Sequence, residues 1–157
     1  MGNVKLMLKP SRSSQGKWAL LSAILIACGA SGSAAGEREG QWSALSRTAQ
    51  SITGDIILSP TRLRAETAEF RLGPGVDQLQ FVGVLGRVPA RALPVRSPRN
   101  PTMLNGNRIC RGPVRWFVVA LTRDGDLEID AFEGKAMPRS VRSAGFCGAF
   151  FYSRFGA

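Results

Sequence analysis

The sequence predicts a mainly β fold, a small antiparallel sandwich or barrel of about six or seven strands with one disulfide. Three observations predict it. Short runs of alternating apolar and polar residues recur along the chain, Gly, Pro and Asn turn signals separate them, and no amphipathic helix lies between them. The same stretch carries two well-separated cysteines, Cys110 and Cys147.

The first 27 residues read as a signal peptide. Lys5, Lys9, Arg12 and Lys17 form a positive flank, and an apolar run from Trp18 to Ala27 follows. That run is short of the ~20 apolar residues that span a bilayer, and Gly29, Gly32 and Gly36 would have to continue it. "GASGSAAG" then supplies small, flexible residues, so 28–40 reads as a tether. "QWSALSRTAQSI", Gln41 to Ile52, reads as a short helix or arm with Trp42 packed onto the domain, which is expected to begin near Thr53 and run to residue 157.

Strands are expected at "GDIILS" (Gly54 to Ser59), at "TRLRA", and at "AEFRL" (Ala68 to Leu72), where Phe70 and Leu72 share one face and Glu69 and Arg71 the other. "GPG" marks a turn, and "QLQFVGVL" (Gln78 to Leu85) alternates again. "VRWFVVAL" (Val114 to Leu121), the turn "TRDGD" and "LEIDAFE" (Leu127 to Glu133) read as a β-hairpin, with Leu127, Ile129 and Ala131 facing the core and Glu128 and Asp130 facing water. "FCGAFFYS" (Phe146 to Ser153) is a final strand. A Cys110–Cys147 disulfide would make the start of the hairpin a neighbour of that last strand. On the chain-entropy estimate it would contribute roughly 4 kcal/mol.

The middle of the domain is basic. No acidic residue occurs between Asp77 and Asp124, while Arg87, Arg91, Arg96, Arg99, Arg108 and Arg111 accumulate among five prolines. Residues 86–113 therefore read as an extended, proline-stiffened loop that presents guanidinium groups to carboxylates or phosphates. From Cys28 onward 17 basic residues face 11 acidic ones, a net of +6, and 16 of the 17 are arginine. The rival account is a solvated loop in an arginine-rich proteome.

The chain has no histidine. That excludes Ser-His-Asp and Cys-His hydrolases, imidazole metal sites and histidine acid-base chemistry, and two cysteines are too few for an all-thiolate zinc site. "DGDLEID" (Asp124 to Asp130) holds four carboxylates in seven residues. It could serve as an oxygen-ligand calcium site, or Glu128 and Asp130 as an acid-base pair, but it also matches a tight turn followed by a solvent-facing strand. No catalytic residue, metal or cofactor is assigned.

"LIAC", Leu25 to Cys28, resembles the lipobox of bacterial lipoproteins. The resemblance implies cleavage before Cys28 and attachment of lipid to its sulfur. It agrees with the odd cysteine count and the flexible tether, and ordinary cleavage after Ala34 or Ala35 is the alternative. "NPTMLNGNRIC" together with "FCGAF" is similar to small exported proteobacterial β-domain proteins of unassigned function, and assigns no catalytic residue. The resulting expectation is a non-enzymatic cell-envelope lipoprotein, anchored to the membrane by lipid, whose β-domain binds an anionic envelope glycan, lipid or acidic protein and no nucleic acid. The alternatives are a soluble periplasmic or secreted inhibitor or interaction module, and a carboxylate-dependent hydrolase.

Overall fold

The structure, a computed structural model, describes residues 36–155. The signal segment, Cys28 and all but the last residues of the 28–40 tether lie outside them. Nine strands form: β1 (Gly40–Ala44), β2 (Ile56–Ser59), β3 (Arg62–Ala65), β4 (Glu69–Arg71), β5 (Val76–Gly83), β6 (Gly86–Arg99), β7 (Val114–Leu121), β8 (Leu127–Phe132) and β9 (Phe146–Arg154). One helix, α1 (Arg47–Ile52), and two 3-10 turns, Gly36–Arg38 and Leu104–Gly106, accompany them.

All nine strands belong to one antiparallel sheet, ordered β4-β3-β2-β1-β9-β8-β7-β6-β5. This corrects the expected sandwich or barrel of six or seven strands: there is a single sheet, and it is not closed into a barrel. The sheet curls far enough for Leu72 and Val95 to form an isolated bridge and for the Gly73 N–H to donate to the Pro94 carbonyl at 2.7 Å. No ladder follows. Closure needs a continuous run of strand pairing, and here β4 has three residues while β6 carries Pro94 and Pro98, which have no N–H to give.

The two extra strands occupy segments read otherwise from sequence. Gln41–Ile52, expected as a helix or arm, divides into most of β1 and the short α1, so the domain starts at Gly40 rather than near Thr53. Trp42 on β1 is fully buried and donates its indole N–H to the Arg38 carbonyl at 3.0 Å. Ser46 caps α1, its hydroxyl accepting from the Ala49 N–H at 3.2 Å.

The other is β6, a strand of 14 residues through the first half of the segment read as a basic loop. Prolines normally argue against an inner strand, yet each has a place here. Pro89 lies between Val88 and Ala90, opposite the bulge where β5 pairing jumps from Gln78 to Phe81. Pro94 and Pro98 lie beyond Ala92, the last β6 residue paired with β5, and Pro98 falls in the irregular stretch of the β7 ladder between Pro94 and Arg99.

The sheet buries side chains on both faces. The inner face gathers Trp42, Ile56, Leu58, Leu63, Phe70, Leu72, Leu93, Phe117, Ile129, Phe150 and Tyr152 into one core. The outer face carries a smaller core of Phe81, Ala90, Ala92, Val118, Ala120 and Phe132, with Met137 and Val141 packed against it. The segment after β8 lies alongside β5: Val141 N–H donates to the Val82 carbonyl at 2.9 Å, and the Gln78 amide donates to the Pro138 carbonyl at 2.9 Å.

This second core overturns one expectation. Leu127, Ile129 and Ala131 do face the inner core, but Glu128 and Asp130 do not face water; each is 1% exposed on the covered outer face. The disulfide joins Cys110 to Cys147 with their Cα atoms 5.1 Å apart. It links the loop before β7 to β9, but β8 pairs with both of those strands and separates them, so they are not the neighbours that the bond suggested.

Candidate functional site

The six arginines expected to form one anion-binding loop are dispersed. Arg87 sits one residue after the β5–β6 turn and donates to the Gln80 side chain at 3.2 Å. Arg96 and Arg99 lie at the far end of β6, where Arg96 donates to the Leu72 carbonyl at 3.0 Å and Arg99 to the Glu69 carbonyl. With Arg62, which pairs with Glu69 at 3.5 Å, and Arg71, they make an exposed basic seam where the sheet curls upon itself. Arg108 and Arg111 border an open depression beside the disulfide, with Glu133 and Phe146.

Glu133 lies within reach of both disulfide sulfurs, and the three residues have the spacing of a metal cluster. The two sulfurs are bonded to each other and have no thiolate to offer, and the Glu133 carboxylate accepts from the Gly112 N–H at 2.6 Å.

Arg91 is placed differently. On β6 it faces the inner side, opposite Val119, and with Leu58, Pro60, Leu93 and Val119 it lines a cavity of about 230 Å³. That volume exceeds the ~150 Å³ that holds benzene and falls below the ~300 Å³ typical of drug-sized ligands.

Across this cavity lies Arg38, a residue sequence reasoning assigned to the tether. It is 7% exposed, and its Nε has no hydrogen-bond partner. Its guanidinium makes one long donation, to the Pro89 carbonyl at 3.4 Å. Burial pushes its guanidinium below the ordinary value; Asp77 and Glu37 oppose that push and Arg91 adds to it. An arginine nevertheless stays charged in proteins. The only signal in the sequence was the charged run Glu37–Glu39 interrupting small residues, with Trp42 three residues further on.

The acids around the cavity are Glu39, which lines it, and Asp77, which meets Arg91 at 3.4 Å with its own side chain 64% exposed. A pair that open to water is worth little and is readily exchanged. The arrangement sets around one cavity a buried arginine whose Nε lacks a partner, a second guanidinium on a weak partner, and the apolar side chains of Leu58, Pro60, Leu93 and Val119, with Glu39 and Ser59 also in the lining.

The second buried charged cluster is the pair Glu128 and Asp130. They lie two residues apart on the same face of β8; Glu128 Oε1 accepts the Val84 N–H at 2.7 Å, while Asp130 Oδ1 is buried without a partner. Gly83 allows that approach, because a Cβ there would stand 2.7 Å from Glu128 Oε1. Across the ladders Glu128 faces Ala120 and Phe151, and Asp130 faces Val118 and Ala149, so no cation lies opposite. Burial, then the neighbouring Glu128 charge, raises the Asp130 carboxyl to about 8; burial raises Glu128 as well. The pair holds a proton at neutral pH and fastens the β5–β6 turn.

No protein-family model, curated protein or solved structure matches this chain.

Proposed function

We propose that this chain is a non-enzymatic binding protein of the cell envelope, exported and held to a membrane by lipid on Cys28, whose β-domain takes the carboxylate or phosphate of an anionic ligand between Arg38 and Arg91. The observation that carries the reading is the buried Arg38, whose Nε has no partner, in the lining of a largely apolar cavity that Arg91 borders from β6. A buried donor left unpaired costs roughly 1–3 kcal/mol, more when charged, and a bound acceptor recovers it. Two guanidiniums at one apolar cavity suit a small anion carried on an apolar body.

The exposed arginines of the seam and of the disulfide depression lie outside this cavity and serve as a general positive field. The hydrolase alternative needs Glu128 and Asp130 to reach a substrate, whereas the pair is sealed beneath Val84.

The test is calorimetric titration of the chain from residue 28 onward with benzoate, benzamide and inorganic phosphate. Benzoate is expected to bind, benzamide to bind at least roughly tenfold more weakly, and Arg38→Gln or Arg91→Gln to abolish the difference. Equal binding of benzoate and benzamide would refute the anion site. Intact mass of the chain from a membrane fraction tests the anchor separately: acyl chains on a species starting at Cys28 are expected, and an unlipidated chain starting near Ala35 would favour the soluble interaction module.

A further inference from the structure

The β5–β6 turn breaks the ordinary chemistry of hairpins. Gly83 pairs with Gly86, leaving Val84 and Leu85 as a two-residue connection. Such turns favour Asn, Asp and Gly, because their commonest forms need a positive φ at one or both central positions. Among the described residues the only non-glycine with positive φ is Asn105, so this turn takes neither common form. Two apolar side chains instead stand at the most projecting place on the hairpin, Val84 at 51% and Leu85 at 67% exposure, and Leu79 on the same strand is 83% exposed.

The turn is also held firmly. Glu128 fixes the Val84 N–H from beneath, as described above, so the two apolar side chains are presented on a braced backbone. The residues around it are mostly basic. Arg87 follows the turn, and Arg139 and Arg142 are exposed on the segment that runs beside β5 through the Val82–Ser140 bridge. The neighbouring β7–β8 turn brings Asp124 and Asp126 to the same end of the sheet beside Arg123, so the cations there outnumber the acids rather than stand alone; Glu128 and Asp130, beneath the turn, are buried.

We infer that the Val84–Leu85 turn is a membrane-docking tip, which inserts its two apolar side chains at the surface of an anionic bilayer while Arg87, Arg139 and Arg142 meet the lipid phosphates. Apolar residues ringed by cations are what the interface of an anionic membrane selects, and a neutral protein partner would not call for the basic ring. This goes beyond the Arg38 cavity, which lies on the opposite face of the sheet, and rests only on that reading's placement of the chain at a membrane. Docking by the tip in addition to a lipid on Cys28 would supply the second of the two signals that stable anchoring takes.

The experiment uses the chain from residue 28 onward with Cys28→Ser, so that no lipid can be attached; the whole described sheet lies within it. Co-sedimentation is measured with vesicles of phosphatidylcholine alone and mixed with phosphatidylglycerol. Binding is expected to the mixed vesicles and to weaken with salt. The double variant Val84→Asn, Leu85→Gly, with its fold checked by circular dichroism and thermal melting, is expected to lose binding about tenfold or more. The double variant Arg139→Ala, Arg142→Ala is expected to weaken binding and flatten its salt dependence. Failure of the wild-type sequence to bind the mixed vesicles, or equal binding by the turn variant, would overturn the inference. Both outcomes are independent of the calorimetry at Arg38.

Discussion

Two buried charged clusters lie on opposite faces of one sheet and are handled in opposite ways. On the outer face burial and the neighbouring Glu128 charge favour the protonated Asp130 carboxyl, and Glu128 holds a backbone donor at 2.7 Å. On the inner face Arg38 cannot shed its charge, its Nε has no partner, and a cavity lies beside it. Carboxyls can be buried by taking up protons; a guanidinium cannot, and it needs an acceptor. The difference separates a structural cluster from a binding one: the first disposes of its charge by holding a proton, although Asp130 Oδ1 also lacks a partner, and the second keeps its charge until a ligand supplies the acceptor.

The largest expected effect comes from breaking the structural cluster. Glu128→Ala removes the acceptor of the Val84 N–H and leaves a void, and should destabilise the domain by about 2–4 kcal/mol in chemical denaturation. A loss under roughly 0.5 kcal/mol, the scale of surface changes, would mean that the pair does not brace the turn. Arg38→Met should act with the opposite sign, leaving the unliganded domain equally stable or about 1 kcal/mol more stable, because it removes a buried charge with an unpaired donor and keeps the apolar stem. Marked destabilisation would show Arg38 to be a structural partner instead.

The pH dependence sharpens the contrast. Asp130 binds its proton more tightly folded than unfolded, so the folded state holds more protons between pH about 4 and pH about 8. Stability from this group is therefore lost as pH rises across that window and is level outside it. Asp130→Asn, with no proton to lose, should flatten thermal stability between pH 5 and 8 and gain most at the alkaline end. The smallest effect is expected of Arg96→Ala with Arg99→Ala: exposed side chains with carbonyl partners should change stability by about 0.5 kcal/mol or less each and leave anion binding at the cavity unchanged.

Much of the sheet was legible in the sequence because local pattern and tertiary role agree. Asp-Gly between two apolar runs marks the β7–β8 hairpin, and alternation finds β4, where Phe70 is buried and Arg71 exposed. β6 was hidden by prolines that are harmless only because a bulge in another strand and the end of a ladder happen to meet them. β1 was hidden because "QWSAL" has the composition of an arm, and its single large anchor, Trp42, is buried by strands distant in sequence.

The site was less legible for the same reason. Glu128 and Asp130 alternate as solvent-facing acids do, and their burial comes from chain distant in sequence: the β5–β6 turn at Gly83 and Val84 lies over Glu128, and the later segment around Met137 and Val141 packs on the same face. Arg91 was named among six arginines, but nothing local distinguished it from Arg87 or Arg96. Arg38 fell in a run of small residues, and its burial depends on elements from β1 to β7.

The most direct test is the ¹H–¹⁵N resonance of the Arg38 Nε group during titration with benzoate, using Arg38→Gln to assign the signal. The account predicts a downfield shift of that N–H as it gains an acceptor, slower exchange with water, and no such change with benzamide. A resonance that stays unmoved while benzoate binds elsewhere, or the absence of any binding, would contradict the claim that the cavity at Arg38 is an anion site.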